Sequence, residues 1–493
     1  MEAVSIQNSD VCVIGAGVVG SLIARTLCAY QLNVTVLERM DDVGMGASRA
    51  NSGIVHAGYD CKPGTLKAKL NVQGSRMMEQ VAKELGVSYR RNTSMVIGFD
   101  DEDLKKIELL LEKGRQNGVE GLSILSGEQA REREPHLSKE VKYALLAPTG
   151  AVICPYELTI AAMGQAMDYG TKLYTGFSVR EIRKLSGKDQ IERFEIVGEK
   201  PGQIVRSRFV INCAGVFADE ISRMVGVNDV QIKARKGEYM ILDKDAGSWV
   251  DATIFRTPTA MGKGILCTRT VDGNLLLGPT AEDTGDKEDV STSDTGMEFV
   301  SKMAQVTLPD VPLRKVITSF SGLRAVGQTG DFIIDQPIPG FIQCAGIESP
   351  GLSASPAIAQ YVADMLRESG LAFERKKDYD PNRLPIHWFR ELSPSEKNQV
   401  IKENPAFGRV VCRCETVTEG EILEALQRNP RPHDVDGIKR RTRAGMGRCQ
   451  GGFCSPSVMD MIASTDGIPL TEVTKFGKSS KMLAGSREEG RKS

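Results

Sequence analysis

The sequence predicts an α/β fold: a Rossmann-like domain that opens the chain, an antiparallel-sheet domain inserted into it, and a small helical module near the C-terminal end. Three observations support this prediction. A glycine-rich turn follows the first apolar strand, short strands separated by turns fill the middle of the chain, and four cysteines in two pairs lie near its end. With 493 residues, the chain is long enough for about three domains of ordinary size.

The first element is a dinucleotide fingerprint. Residues 10–14, four of them apolar after Asp10, predict a short strand, and residues 21–32 have the apolar spacing of an amphipathic helix. The turn between them has glycines at the G-x-G-x-x-G positions, namely Gly15, Gly17 and Gly20. A second predicted strand ends at Glu38, where a carboxylate can accept the ribose hydroxyls of a dinucleotide while the helix N-terminus faces the pyrophosphate. The sequence therefore predicts a bound dinucleotide.

The later strands predict two intermingled domains. Apolar runs at residues 237–242, 264–269 and 274–278 are separated by turn residues, which is typical of an antiparallel sheet. Residues 330–346 and the helix after them return to the strand–loop–helix order of the first domain. The predicted boundaries are 1–75, 150–220 and 320–370 for a discontinuous dinucleotide-binding domain, 76–149 and 221–319 for a substrate domain, 371–408 for a polar linker, 409–465 for the cysteine module and 466–493 for a basic tail.

Charge and cysteine content narrow the class of protein. The 63 Lys and Arg residues nearly balance the 64 Asp and Glu residues, so nucleic acid is not expected as a partner, and any anion site must be local. Most of the eleven cysteines are scattered, which favours a reducing compartment. The first ten residues do not read as a signal peptide, and no long apolar run occurs. We therefore expect a cytoplasmic protein, at most peripheral at the inner face of the membrane.

The cysteine pairs predict a metal or iron–sulfur centre. Their spacing is C-x-C followed by C-x4-C, formed by Cys412, Cys414, Cys449 and Cys454. Two such loops supply four thiolates, and structural zinc is the alternative occupant, although zinc sites more often use C-x2-C pairs. Arginines and a lysine at 439–441, with Arg443 and Arg448, would offset the charge of a thiolate-bound cluster. The other interpretation of this basic run is a solvated face or a docking patch for an acidic partner.

Two parts of the chain resemble known families. Residues 13–20, 36–38, 48–59 and 62–69 resemble FAD-dependent oxidoreductases of the D-amino-acid oxidase superfamily, and the last two blocks are most similar to glycerol-3-phosphate dehydrogenases and L-2-hydroxyglutarate dehydrogenases. Residues 411–415 and 442–454 resemble the [2Fe-2S] domain of the bacterioferritin-associated-ferredoxin type. The resemblance implies two cofactors, FAD and a [2Fe-2S] cluster.

The resemblance also implies a set of catalytic residues. Oxidation of an alcohol by a flavin needs a hydride acceptor and a base for the hydroxyl proton. His56 lies in a segment that the resemblance places near the flavin ring, so it is the candidate base, with a packed core histidine as the alternative. Lys263 and Arg324, each beside small residues, are candidates to pair with a small anionic substrate. The alternative for each cation is a solvated charge or a surface ion pair.

The predicted contacts with the cofactor come from six parts of the chain. They are Gly15, Gly17, Gly20, Glu38, Ser48, Asn51, Ser52, Gly215, Asp331, Gly351 and Leu352.

The resulting functional prediction is an electron-transferring dehydrogenase. It would oxidise sn-glycerol 3-phosphate to dihydroxyacetone phosphate and pass electrons through the [2Fe-2S] cluster to a partner flavoprotein or a membrane-linked subunit. The cluster disfavours a simple oxidase, because transfer to oxygen needs no relay. One alternative is a dehydrogenase of L-2-hydroxyglutarate or of another 2-hydroxy or imino acid. The other is a non-catalytic electron-transfer or scaffold subunit.

Overall fold

The computed structural model describes residues 7–185, 193–258, 264–386, 388–477 and 479–485. The chain divides into two compact units. The first unit comprises Met1–Arg39 and Gly44–Arg383, and the second comprises Met40–Val43 and Leu384–Ser493. The boundary at 383–384 falls inside the segment that the sequence predicts as a linker.

The first unit contains two large sheets and a small one. Its strands are β1 (Gln7–Ile14), β2 (Val34–Leu37), β3 (Ile54–Val55), β4 (Tyr89–Arg90), β5 (Ser94–Gly98), β6 (Ser123–Ser126), β7 (Tyr143–Ala147), β8 (Ala151–Ile153), β9 (Lys172–Tyr174), β10 (Val179–Leu185), β11 (Arg193–Gly198), β12 (Ile204–Asn212), β13 (Ile232–Leu242), β14 (Thr253–Arg256), β15 (Leu266–Arg269), β16 (Leu275–Gly278), β17 (Glu282–Thr284), β18 (Val316–Gly327), β19 (Ile333–Ile338) and β20 (Phe341–Ala345). Its helices are α1 (Val18–Cys28), α2 (Leu66–Leu85), α3 (Asp101–Gln116), α4 (Gly127–Arg133), α5 (Pro155–Asp168), α6 (Ala218–Met224), α7 (Asp294–Thr307) and α8 (Gly351–Glu368).

The sheet that carries the fingerprint has the strand order β10-β11-β12-β1-β2-β9. β1 runs parallel to β2 and β12, and β20 runs parallel to the end of β12. Val11, Cys12 and Val13 of β1 are completely buried, since helices α1, α5 and α8 pack together over this layer. Strands from distant parts of the chain thus complete one Rossmann-like layer, and the predicted α/β class is confirmed.

The second large sheet has the strand order β17-β13-β16-β15-β14-β5-β7-β6, with β18 along the other edge of β13. Its pairs are antiparallel apart from β14 with β5, which run parallel. β13 and β18 pair along most of their length, with Gly237 opposite Gly322 and Tyr239 opposite Phe320. This long pair matters for the site, because one of its faces packs against the segment that follows the fingerprint. The small sheet has the order β3-β8-β4.

The second unit is small and mainly helical. It contains β21 (Val410–Cys412), β22 (Val417–Thr418), α9 (Pro394–Glu403), α10 (Glu419–Gln427), α11 (Val435–Thr442) and α12 (Ser455–Asp466). Its core includes Ile422, Ile438 and Ile462, all completely buried. α9 begins with a capping box formed by Ser393 and Glu396, so a helix lies within the predicted linker. Within the predicted tail, Val473 is completely buried in this core.

No helix in the described part of the chain combines the length and the apolar character that a membrane-spanning helix requires.

Candidate functional site

The fingerprint turn brings three chain segments together. Gly15 has a φ of +105°, and a Cβ there would clash with the carbonyl oxygen of Cys213. A Cβ at Gly20 would clash with the carbonyl oxygen of Gly15. These two glycines are therefore required by the packing of strand, turn and helix. Gly17 is different, because the one atom within 4 Å of a Cβ there, among the described residues, would be Ser48 Oγ at 3.2 Å, so the position is tight on the Ser48 side and open elsewhere.

Ser48 and Glu38 complete this turn. Gly17 is the N-cap of α1 and has no side chain to offer, and the Val18 N–H donates to Ser48 Oγ at 2.9 Å. The Ala16 N–H donates to Glu38 Oε2 at 2.9 Å, which holds the buried carboxylate at the fingerprint. Backbone amides at a helix N-terminus with a carboxylate beside them suit the pyrophosphate and ribose of a dinucleotide.

The end of β12 forms another wall of this region. The Cys213 N–H donates to the carbonyl oxygen of Ile14, which fixes the end of β12 beside the fingerprint strand. Gly215 follows with a φ of +58°, and a Cβ there would meet no atom within 4 Å. Gly215 thus borders open space, where a cofactor can approach the backbone.

Asn51 and Ser52 lie half-buried in the loop before β3. Asn51 Nδ2 donates to the carbonyl oxygens of Ala47 at 2.9 Å and Ser48 at 3.1 Å, while its Oδ1 accepts from the Gly53 N–H. The Asn51 side chain therefore holds the loop in shape. Its predicted contact with the cofactor stays a prediction, as does that of Ser52.

His56 is half-buried and held by two serines that are distant in sequence. Its backbone N–H donates to Ser353 Oγ at 2.7 Å, and its Nε2 lies 3.4 Å from Ser349 Oγ. The imidazole ring centre lies 5.6 Å from that of Phe255. These contacts fix the position of the ring, with an oxygen atom beside Nε2.

Arg324 lies on β18 and is half-buried. Its Nη2 donates to the carbonyl oxygen of Thr280 at 2.6 Å, whereas its buried Nε has no hydrogen-bond partner among the described residues. Gly322, two residues earlier on the same face of β18, packs on Ala50 so tightly that a Cβ would clash with the Ala50 carbonyl oxygen. The Arg324 face of β18 therefore lies toward the segment that leads to His56.

Three residues of this region were missed by the sequence analysis. Tyr239 of β13 stacks on Phe320 with ring centres 4.8 Å apart, and burial raises the pKa of its phenol although the charge of Arg324 opposes the shift. Ser349 and Ser353 contact His56 from almost 300 positions away. No local motif marks these residues, since their roles depend on strand pairing and on the packing of α8.

The other predicted residues have different surroundings. The Asp331 carboxylate accepts from the N–H groups of Leu66 and Lys67 at 2.9 and 2.7 Å, so it caps the N-terminus of α2. Gly351 and Leu352 form the first turn of α8. Lys263 lies outside the described residues. The Asp331 carboxylate is therefore occupied by helix capping, and the catalytic roles of His56 and Arg324 stay predictions.

The four cysteines of the second unit form two pairs, each with one cysteine from each loop. The Cys414 and Cys449 sulfurs lie 3.6 Å apart, and the Cys412 and Cys454 thiols are hydrogen-bonded. The hydrogen bond from Cys454 lowers the pKa of Cys412, although burial opposes the shift. A thiol of this kind ionises easily and so can bind a metal ion as the thiolate.

This pairing bears on the choice between zinc and a binuclear cluster. Tetrahedral zinc would hold all four sulfurs about 3.8 Å from one another. Among the described residues, the one group of three or more potential metal-ligand atoms within 4.8 Å of one another is Cys154, Glu157 and Asp272. No three of the four cysteine sulfurs therefore lie that close together. Two separated pairs fit two iron atoms better than one zinc ion.

Backbone N–H groups donate hydrogen bonds to two of the cysteine sulfurs. The N–H groups of Gly445 and Glu415 donate to Cys412, and those of Gly451, Gly452 and Phe453 donate to Cys449.

The basic run of α11 is not a solvated face. Arg440 and Arg441 are buried and donate to Asp42 at 2.7 and 2.9 Å, and Arg443 donates to Glu415 at 2.8 Å. These three guanidinium groups are therefore committed to carboxylates of the same unit.

Comparisons with known proteins agree with this geometry. Residues 10–365 match the family of FAD-dependent oxidoreductases, and residues 410–464 match the BFD-like [2Fe-2S] binding domain. The chain is 46% identical to a glycerol 3-phosphate dehydrogenase of Caloramator mitchellensis, over 97% of this chain and 98% of that protein. It is 30% identical to the mitochondrial L-2-hydroxyglutarate dehydrogenase of Bos taurus, over 56% of this chain and 62% of that protein.

A solved structure extends the similarity to three dimensions. The L-alpha-glycerophosphate oxidase of Mycoplasma pneumoniae, with FAD bound, superimposes with a TM-score of 0.72 at 27% identity. The match covers 77% of this chain and 100% of the oxidase. The two predicted cofactors, FAD and [2Fe-2S], are confirmed at the level of the domains that bind them.

Proposed function

This chain belongs to the FAD-dependent oxidoreductase family, and we propose that it oxidises sn-glycerol 3-phosphate to dihydroxyacetone phosphate and passes the electrons through its [2Fe-2S] domain to a partner. The observation that carries the proposal is the similarity to the Caloramator glycerol 3-phosphate dehydrogenase, which extends over nearly the whole of both chains. The expected partner is a flavoprotein or a membrane-linked subunit. A cytoplasmic enzyme, at most peripheral at the membrane, fits the unbridged cysteines of the described residues.

Each cofactor supplies one kind of chemistry. FAD, when bound, accepts a hydride from the carbon that carries the hydroxyl group, and a [2Fe-2S] cluster carries single electrons. The open position at Gly17, the N-terminus of α1 and the Glu38 carboxylate would hold the dinucleotide. The two cysteine pairs would hold the cluster.

In this proposal His56 accepts the hydroxyl proton of the substrate. Hydride loss from an alcohol requires that proton to leave, and a neutral imidazole is suited to take it near neutral pH. The contact of the His56 N–H with Ser353 fixes the backbone, and Ser349 beside Nε2 restricts the ring. Both serines therefore act as positioning residues for the base.

Arg324 binds the phosphate group of the substrate in this proposal. Its Nη2 is anchored on the Thr280 carbonyl oxygen, and the residue as a whole is half-buried. A guanidinium group that is held in place and partly removed from water is suited to pair with an anionic group. Lys263 stays the second predicted cation.

Anaerobic bleaching of the flavin tests the substrate directly. The purified enzyme is mixed in turn with glycerol 3-phosphate, L-2-hydroxyglutarate, lactate and proline, and flavin absorbance is followed in a stopped-flow instrument. Rapid bleaching by glycerol 3-phosphate alone is the expected result. Faster bleaching by L-2-hydroxyglutarate would favour the alternative substrate, and no bleaching by any substrate would favour the scaffold.

The phosphate role of Arg324 has a matched control in the same sheet. Arg235 lies opposite Arg324 in the register of β13 and β18, but it is paired with Asp283 at 2.5 Å. Arg324→Met should weaken glycerol 3-phosphate binding by about 10- to 100-fold, as expected for a lost charged hydrogen bond. Arg235→Met should change binding little. Equal effects of the two variants would refute this role.

A further inference from the structure

The two cysteine loops of the second unit, residues 410–418 and 443–457, present an exposed surface that we call the cluster face. It is formed by Arg413, Cys414, Arg448, Gly452 and Phe453, all exposed. The loops meet here, because Cys412 is hydrogen-bonded to Cys454 and Cys414 lies 3.6 Å from Cys449. Arg413 and Phe453 are each adjacent in sequence to a member of the Cys412–Cys454 pair.

Phe453 is the most unusual member of this face. Its side chain is 87% exposed, the highest value for a large apolar residue among the described part of the chain. Its neighbour Cys454 is 3% exposed. Because this aromatic ring is exposed to water, its apolar surface does not add the free energy of burial to the stability of its own domain. Aromatic side chains of this kind are typical anchors of protein–protein interfaces.

The charges of the cluster face have one sign. Arg413 and Arg448 are exposed, and Arg413 forms no ion pair among the described residues. Glu415 provides the carboxylate within the two loops, but it is 3% exposed and bound by Arg443 and Arg390. The exposed charged groups around the cysteines are therefore basic, although the whole chain has a formal net charge of −1. This local field attracts an acidic surface.

The exposure of Cys414 connects the cluster face with electron transfer. Cys412 and Cys454 are buried, whereas Cys414 is exposed. A protein that covers Phe453 would thus come next to one of the sulfurs that would bind the cluster. Among the four cysteines, Cys414 is therefore the one that a docked protein can approach most directly.

We propose that the cluster face docks an acidic one-electron carrier protein, which takes electrons at the Cys414 edge. The proposal rests on the proposed function and specifies the chemistry of its partner. Oxidation of one alcohol to a ketone releases two electrons and two protons. Two carrier molecules therefore each gain one electron, and the protons leave to solvent.

An anionic membrane is the other surface that a basic face attracts. Membrane recognition by charge usually needs a cluster of about four to eight Lys or Arg residues. The cluster face has two arginines and one exposed aromatic ring, which suits a protein contact better.

Two carriers of opposite charge test the docking. The probes are the soluble haem domain of cytochrome b5, which is acidic, and cytochrome c, which is basic. The enzyme is reduced with dithionite, freed of excess reductant and mixed with each oxidised carrier. Cytochrome b5 should be reduced at least tenfold faster than cytochrome c at low salt, and its rate should fall steeply as salt is added.

Variants then locate the contact. Arg413→Glu should slow cytochrome b5 reduction by about tenfold or more and speed cytochrome c reduction, because the charge of the face reverses. Phe453→Ala should also slow cytochrome b5 reduction, whereas Phe453→Leu should retain most of it. Lys402→Glu makes the same charge change on the exposed part of α9 and should leave both rates unchanged. Iron content and the reduction potential of the cluster are measured for each variant, so that a damaged cluster is recognised.

Because dithionite reduces the enzyme without any substrate, the carrier experiment tests the docking proposal independently of the proposed function. If glycerol 3-phosphate fails to bleach the flavin, the proposed function is wrong, but the carrier experiment still reports on the cluster face. The docking proposal is overturned if cytochrome b5 reduction is independent of salt, or if Arg413→Glu and Lys402→Glu behave alike with intact clusters. Binding of the enzyme to anionic phospholipid vesicles that Arg413→Glu abolishes would assign the face to a membrane instead.

Discussion

The two cofactor sites of this protein use different chemical groups for binding. In the first unit, the dinucleotide turn is formed mainly by backbone, with Gly15 packed on Cys213 and Gly17 left open. In the second unit, four cysteine side chains from two short loops supply the binding groups. The first site is therefore sensitive to a Cβ added at Gly15 or Gly20, whereas the second is sensitive to the loss of a single sulfur atom.

The largest expected effect is the loss of the cluster in Cys454→Ser. Because a hydroxyl does not replace a thiolate toward iron, the variant should contain almost no iron, while flavin content and anaerobic bleaching by glycerol 3-phosphate stay normal. Turnover with a protein carrier should collapse, and turnover with a dye that takes electrons at the flavin should be spared. Iron analysis and stopped-flow absorbance measure these outcomes.

Cys267→Ala is the control, because Cys267 is buried in β15 of the first unit. This variant should keep its full iron content. Zinc in place of iron in the wild type, or undiminished turnover with the carrier in Cys454→Ser, would show that the second unit is structural.

The next effect sharpens the contrast between the glycines. Gly17→Val should give folded protein without FAD, since the side chain would crowd Ser48 and extend into the space expected for the pyrophosphate. Gly15→Ala should instead reduce the yield of folded protein, because its φ of +105° and the nearby Cys213 carbonyl leave no room for a methyl group. Flavin absorbance per folded protein distinguishes the two. A fully flavinated Gly17→Val would contradict the assignment.

The expected effect of His56→Ala is on rate rather than on cofactor content. Removal of a general base should slow flavin bleaching by glycerol 3-phosphate by about a hundredfold or more. His136→Ala serves as the control, because His136 stacks on Trp249 at 4.3 Å and has no predicted catalytic role. Bleaching of His56→Ala at the wild-type rate would place the base elsewhere.

The last effect is on the stability of the second unit and concerns a buried ion pair. Burial alone would raise the pKa of Asp42, but the charges and hydrogen bonds of Arg441 and Arg440 hold that pKa well below its usual range. A depressed pKa in the folded state means that the carboxylate stabilises the unit fully above about pH 4 and loses this contribution as the pH falls further. Asp42→Asn should cost about 3–5 kcal/mol at pH 7, because two buried arginines lose their partner.

The measurement is thermal unfolding of the wild type and of Asp42→Asn from pH 7 down to pH 3. The difference in Tm should be largest at neutral pH and should shrink as the solution becomes acidic. A difference that stays constant over this range would show that Asp42 does not act through its charge.

Local sequence patterns predicted the fingerprint turn and the cysteine loops better than they predicted the long-range contacts around them. The glycine spacing and the cysteine spacing each lie within a short stretch of sequence, so the fingerprint turn and the cysteine loops could be identified directly. Asp331 illustrates the opposite case. The family resemblance implies a cofactor contact for Asp331, which stays a prediction, while the structure shows its carboxylate capping α2, whose N-terminus lies more than 260 positions earlier.

The basic run of α11 shows the same difficulty. A run of Lys and Arg usually predicts a solvated face, whereas Arg440 and Arg441 are buried against Asp42. The partner lies almost 400 positions earlier in the chain, and no local pattern connects them. The predicted linker was also more ordered than its polar composition suggested, although the Ser393 and Glu396 pair was a readable helix start.

The sequence by itself determined the α/β class and the two cofactor types, because turns, helix starts and ligand loops depend on neighbouring residues. Only the tertiary structure decided which distant groups meet. It placed Ser349 and Ser353 on His56, set the Arg324 face of β18 toward the same segment, and paired the cysteines between loops. Strand register and helix packing fix these contacts, and both arise from burial summed over the whole chain, which no short stretch of sequence records.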